Sequence, residues 1–494
     1  MRLGSCLPAL LIAASAHAAV VEGVVLDEET GSPLARSVVT LVPLPGTSAG
    51  IVSIRAGDRG SFAILSVRPG WYVLRTSRKG FATTEAGSLR SGRPGMPFEI
   101  ADDSQSTFLQ VRMQRLGALT GSVLDENNVG IPDWPVIVYS ARKPIQRIAQ
   151  IKTDDGGIFR IGELETGSYI VRSGEGALED NTTLLPTYYK AGTALESAEP
   201  TRARLGETQA DIVIRPVKGR LLELDGVLNG PGDRAVQLTM ITDTGRRLVA
   251  TLNPPNTTLP FRVSAVPPGL VDFLAEGTEC GGYVRMAVDR DTSGIRVGCG
   301  PLRIPFVSWL VDGSPRPQLR FPVLVRRVDL DGTGPERTLQ SRDRIAPGRW
   351  EVMALPSPDY YVASIRSRFA EEPVTRGDGW FGMDFGTYSD LVVSLSSHPA
   401  SVSGVISAGG KPVSGAAVYL ELYSPELADP RVRLFTGRAD GQGSYKFAGL
   451  APGHYRILSS FDFDAADPFG MERAANLTLR EGDVASQALE MILP

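Results

Sequence analysis

Ala451-Pro452-Gly453-His454-Tyr455-Arg456-Ile457 decides the reading of this chain. Proline and glycine set a turn, and the residues after it alternate apolar with polar, the period of two of a half-buried strand. The pattern recurs as Arg68-Pro69-Gly70-Trp71-Tyr72-Val73-Leu74, Glu165-Thr166-Gly167-Ser168-Tyr169-Ile170-Val171, Pro267-Pro268-Gly269-Leu270-Val271-Asp272-Phe273 and Ala346-Pro347-Gly348-Arg349-Trp350-Glu351-Val352. Gly70, Gly167, Gly269, Gly348 and Gly453 stand 97, 102, 79 and 105 residues apart. Five near-regular copies in 494 residues indicate a repeat architecture.

A second landmark precedes the clearer copies. Val21-Glu22-Gly23-Val24-Val25-Leu26, Leu119-Thr120-Gly121-Ser122-Val123-Leu124 and Val402-Ser403-Gly404-Val405-Ile406 each open a module, and Leu224-Asp225-Gly226-Val227-Leu228 is a looser version. A similar offset before Gly348 places the remaining start near Leu302, where Ile304 to Val311 is strand-like but lacks the glycine. Asp154-Asp155-Gly156-Gly157 and Asp440-Gly441-Gln442-Gly443 read as tight turns needing a positive φ. Only Ala194 to Arg204 reads as one or two helical turns. Roughly seven short strands per ~95 residues give an all-β chain, a tandem array of about five antiparallel Ig-like or prealbumin-like β-sandwich domains. Their expected limits are 19–116, 117–218, 219–301, 302–399 and 400–494, after a signal peptide at 1–18. Short connections such as Gln114-Arg115-Leu116-Gly117 favour a semi-rigid rod.

Arg2, the apolar run Leu7 to Ala14 and the small-x-small site Ala16-His17-Ala18 read as a secretory signal, which places the chain outside the cytoplasm, secreted or periplasmic. No later run is long enough to span a bilayer. Cleavage leaves Cys280 and Cys299, 19 positions apart, as an expected disulfide in an oxidising compartment. A net charge of −4 carries no basic surplus for nucleic acid.

The glycine-opened strands, the turn Lys411-Pro412-Val413-Ser414-Gly415-Ala416, the Asp-Gly turns and the Pro-Gly-x-[YW] strands resemble carboxypeptidase regulatory-like domains. The resemblance is specific in the first, second and last modules. It implies transthyretin-like sandwiches, grouped with carbohydrate-binding-like folds, that are non-catalytic on their own.

Chemistry is sparse. After signal removal only His398 and His454 remain, without zinc-peptidase spacing and without a serine elbow. Walker-type and dinucleotide loops are absent, and no cofactor is implied. Asp462, Asp464 and Asp467 form a small acidic loop, read as solvated before it is read as a calcium site. For carbohydrate, Trp380 and Phe381 with Asp378 and Asp384, in the loop from Arg376 to Asp384, combine a stacking ring with acids, and Tyr188 and Tyr189 form a second candidate. The expectation is a non-catalytic cell-envelope binding or scaffold protein with a polysaccharide as leading ligand class. The rival is a protein-interaction or adhesion module whose partner is an envelope protein. Loop aromatics clustered on one face favour the first. Aromatics buried between modules, with an apolar patch elsewhere, favour the second.

Overall fold

The computed structural model describes residues 19–494 apart from 103–104, 142–144, 178–182, 191, 194–197, 368–373, 376–377, 387–389, 425–430, 465–469 and 493–494. The signal segment, Asp467, and Arg376 with Gly377 therefore lie outside the described residues. Among the described residues every element of more than a bridge is a β-strand, and Thr201–Ala203, part of the stretch expected to turn helically, is one too.

Five separate hydrophobic cores lie in chain order, each between two sheets. In the first unit, strand Ala19–Asp27 lies between antiparallel Ser61–Val67 and parallel Ser106–Met113. The facing sheet is built around Val38–Pro43 and Gly70–Ser77. The second and third units repeat the three-stranded sheet with Gly117–Val123 and Leu222–Asn229 at its centre. In the fifth, Ala400–Ala408 takes that place.

The opening glycine has a steric cause. A Cβ on Gly23, Gly121, Gly226 or Gly404 would stand 1.8, 2.0, 2.2 or 1.9 Å from a carbonyl oxygen of Leu109, Ile212, Ile295 or Gln487. Those carbonyls lie on, or just before, the closing strand that runs parallel to the opening one, so only glycine admits the approach. The fourth unit solves the problem differently. Its opening strand Val307–Val311 also pairs in parallel with Leu391–Ser396, but the antiparallel partner Tyr361–Ser367 lies on the far side of that closing strand. Of the segment before Gly348, Arg337–Thr338 pairs with Val323–Asp329 and Ile345 forms an isolated bridge with Arg303. Trp309, buried in the core, stands within this opening strand instead of a glycine.

The Pro-Gly strand has a cause as well. Gly70, Gly269 and Gly348 have φ of 148°, 143° and 140°, a region that favours glycine. Two residues on, the aromatic side chain ties the turn down. Tyr72, Tyr169 and Tyr455 donate through Oη to the carbonyls of Arg68, Glu165 and Ala451 at 2.7, 2.9 and 2.7 Å. Trp350 Nε1 donates to Ala346 O at 3.0 Å. The third unit has Val271 at this position and lacks the tether. It carries the disulfide instead: Cys280 and Cys299 are bonded, with their Cα atoms 5.3 Å apart.

The expectation of an open rod is corrected. Residues of the first and fifth units touch across more than 340 positions of sequence, as Arg438 does with Glu85 and Gly95. The array is therefore closed on itself. A linear reading of short connections measures stiffness between neighbours and says nothing of the turning angle each connection introduces.

Candidate functional site

Each Pro-Gly strand turns one face to its own core and the other away from it. On the outward face the sequence places a charge: Arg75, Arg172, Asp272, Glu351 and Arg456. Four of these find a partner within the unit. Arg75 pairs with Glu85 at 3.0 Å, Asp272 with Arg285 at 2.6 Å, Glu351 with Arg326 at 2.7 Å and Arg456 with Glu421 at 2.8 Å. Asp272 and Glu421 are fully buried, so these faces are covered. Buried charges of this kind are tolerated only when paired.

In the second unit the partner comes from its neighbour. Arg172, 2% exposed, pairs with Asp243 in the hairpin between Val236–Thr242 and Gly245–Leu252 of the third unit. Tyr139 Oη donates to Asp243 O at 2.8 Å, and Thr244 Oγ1 donates to Glu175 Oε1 at 2.9 Å. Burial works most strongly against the Arg172 charge, but the Asp243 carboxylate and the Tyr139 and Tyr188 hydroxyls together outweigh it and hold the guanidinium pKa above its ordinary value. Burial pushes the Tyr139 hydroxyl up to about 12 and raises Glu175 above the usual carboxylate range.

The later junctions use the same chemistry. Arg246 of the third unit pairs with Asp331 and Asp329 of the fourth at 2.8 and 2.7 Å. An open polar groove of about 420 Å³ lies beside it, lined by Gln146 to Gln150, Arg246 and Asp331 to Gly334. Between the fourth and fifth units, Tyr361 Oη donates to Glu481 at 3.2 Å and Arg433 lies against Gly379.

The residues expected to stack on sugar are not displayed. Trp380 is 6% exposed, with the Arg326 guanidinium 4.0 Å from its ring centroid. Phe381 belongs to the fourth core. Asp378 accepts from the Trp380 backbone N–H at 3.1 Å, and Asp384 lies 3.4 Å from Arg349 at the surface. In the second unit, Tyr188 is buried with Ile137, Tyr139 and Ile170, under Arg172. Tyr189, half-buried, packs on the second core beneath Lys190. The two candidate sets sit in different units. Trp380, Phe381 and Tyr188 are each less than one-tenth exposed, while Tyr189 is half-buried. Aromatic side chains in a β-rich chain read alike whether they end in a loop or under a neighbouring module.

Among the described residues no group of His, Cys, Asp and Glu is arranged to hold a metal. Asp462 and Asp464 instead face Arg93. Ser397 Oγ donates to Asp312 at 2.6 Å while His398 Nδ1 lies 3.9 Å from that acid. The imidazole is thus not interposed between serine and acid as a general base would be. His454 Nδ1 lies 3.2 Å from Thr478 Oγ1 on an exposed strand. No helix among the described residues is long and apolar enough to cross a membrane.

Sequence patterns could not reveal Asp243, Glu85 or Arg438 as junction residues. Their partners lie in other modules, and local spacing carries no signal for such contacts.

No curated protein matches the chain. Among solved structures it is similar to the minor pilin GBS52 of Streptococcus agalactiae at 14% identity, over 41% of this chain and 97% of that one, with a TM-score of 0.25. The shaft pilin SpaA of Lactobacillus rhamnosus GG matches at 12% identity, over 41% of this chain and 98% of that one, with a TM-score of 0.25. The Bacillus anthracis TIE protein matches at 13% identity, over 92% of this chain and 68% of that one, with a TM-score of 0.16. In sequence, residues 20–100, in the first unit of this tandem β-sandwich array, match the carboxypeptidase regulatory-like domain.

Proposed function

We propose that this is an extracytoplasmic scaffold that holds five sandwiches in one fixed arrangement and presents their outer surfaces to another envelope protein. The observation that carries the reading is the burial of the loop aromatics, which turns them from ligand platforms into packing between sheets and units. The disulfide supports an oxidising compartment. The units then follow the limits 19–116, 117–218, 219–301, 302–399 and 400–494, behind a cleaved segment at 1–18.

Apolar surface is available elsewhere. On the outer face of the first three-stranded sheet, Phe108 is 65% exposed beside Glu22, and Leu65 is 68% exposed in the bulge opposite Val20. Parallel closing strands such as Ser106–Met113 are also sheet edges, which pair readily with another extended chain.

The test is photo-crosslinking in living cells from a reactive side chain at position 108, alongside binding of the purified chain to a polysaccharide panel. The expected result is a discrete protein adduct from position 108 and no saturable glycan binding. Saturable glycan binding that is lost in Tyr189→Ala would overturn the reading.

A further inference from the structure

The contact between the first and fifth units differs from the other four junctions because no short linker enforces it. Arg438 donates to Glu85 and, at 3.2 Å, to the Gly95 carbonyl. Arg93 pairs with Asp464 at 2.9 Å and faces Asp462 at 3.5 Å, where Arg90 also approaches at 3.7 Å. Six charged side chains thus meet across the seam, and all but Arg90 are less than one-fifth exposed.

Apolar groups close the rest. Leu44 is 3% exposed although it stands outside the core of its own unit. A Cβ on Gly415 of the fifth unit would lie 2.5 Å from Leu44 Cδ1 and 2.6 Å from Pro97. A Cβ on Gly441 would lie 2.8 Å from the Trp71 indole. Two glycine turns of the fifth unit are therefore seated against side chains of the first. Tyr419, pushed up to about 12 by burial, lies among these charges.

We propose that this seam is a latch: the two end units are docked in solution, and ionic strength releases them without unfolding either. The cations are on the first unit at Arg90 and Arg93 and on the fifth at Arg438, each opposite an acid, so the surfaces are complementary in charge. Tethering through the intervening units supplies an effective concentration in the millimolar range, which lets a modest polar interface stay closed. Releasing it costs no orphaned charge at Glu85, because Arg75 remains bound at 3.0 Å. Screening acts on the exposed Arg90, 71% exposed, and on the attraction that re-docks the units once they part, with a Debye length near 10 Å at about 0.1 M salt and about 3 Å at 1 M.

The experiment is small-angle scattering of the chain from Ala19 onward across a salt series, with Arg438→Glu and Gly441→Val measured at low salt. Thermal unfolding followed by circular dichroism accompanies each sample. The expected result is a closed particle at low salt and a rise in radius of gyration on the order of 10% in high salt and in both variants, with unfolding temperatures preserved. If Arg438→Glu fails to fold, Gly441→Val and the salt series of the unaltered chain still decide. An open particle at low salt, or a radius unmoved by salt and by both variants, overturns the latch.

Discussion

The junction of the second and third units and the seam of the first and fifth are both built on an arginine facing an acid, yet they answer to different physics. Arg172 is 2% exposed and its ion pair is with the half-exposed Asp243, so the junction is a buried arginine whose acid comes from the neighbouring unit. Glu85 holds two arginines, one from each unit, and losing the foreign one leaves it paired. The difference teaches that desolvation alone does not make a contact permanent. What matters is whether parting leaves a buried charge without an opposite.

The largest break in that comparison is Asp243→Ala. It strands Arg172, and a loss of about 3–5 kcal/mol is expected in urea unfolding of the second unit. Arg438→Ala, measured the same way, is expected to lose less, because Arg75 keeps Glu85 paired. Equal losses would dissolve the distinction. Next comes the third unit, which grips both neighbours and lacks the aromatic tether. Replacing Cys280 and Cys299 together by serine is expected to cost roughly 3 kcal/mol, seen as an earlier first transition on heating. An unchanged melting profile would mean that the hairpin contacts, and not the crosslink, hold that unit. A smaller effect is expected from Gly121→Ala, where the new methyl meets the Ile212 carbonyl. Overpacking of this kind costs about 1–3 kcal/mol, read by chemical denaturation.

The smallest effect is a pH dependence confined to the tethered junction. Burial raises the Glu175 pKa above its unfolded value, so the folded state prefers the protonated acid. Its contribution is greatest below the ordinary carboxylate range and is lost as pH rises through the raised folded value. Glu175→Gln is therefore expected to flatten that slope and to raise stability at neutral pH. A slope that persists in the variant would assign it to another group.

The sandwich class and the number of units were legible because a turn, a strand period and a steric exclusion are local. Gly23, Gly121, Gly226 and Gly404 mark places where one backbone presses on another, and such places announce themselves as invariant glycine within the repeat. The fourth unit keeps the parallel pairing without the mark, with Trp309 in its opening strand and its antiparallel partner on the other side of the closing strand. The disulfide was legible from the two cysteines, of three in the chain, that lie beyond the expected signal segment. The junctions were not, because Trp380 beneath Arg326 and Tyr188 beneath Arg172 look in sequence like any loop aromatics. Whether such a ring meets solvent or a neighbouring guanidinium depends on angles between units, which no short pattern encodes.

The contact of the first unit with the fifth also constrains how this gene can change. In an open string, duplicating or deleting one repeat lengthens or shortens the molecule and leaves the remaining joints intact. Here every joint contributes a turn, and four turns bring Arg93 to Asp464. A sixth copy, or the loss of one, would carry those two residues past each other. The repeat number is thus set by geometry, in the way the number of links in a closed bracelet is set by its clasp.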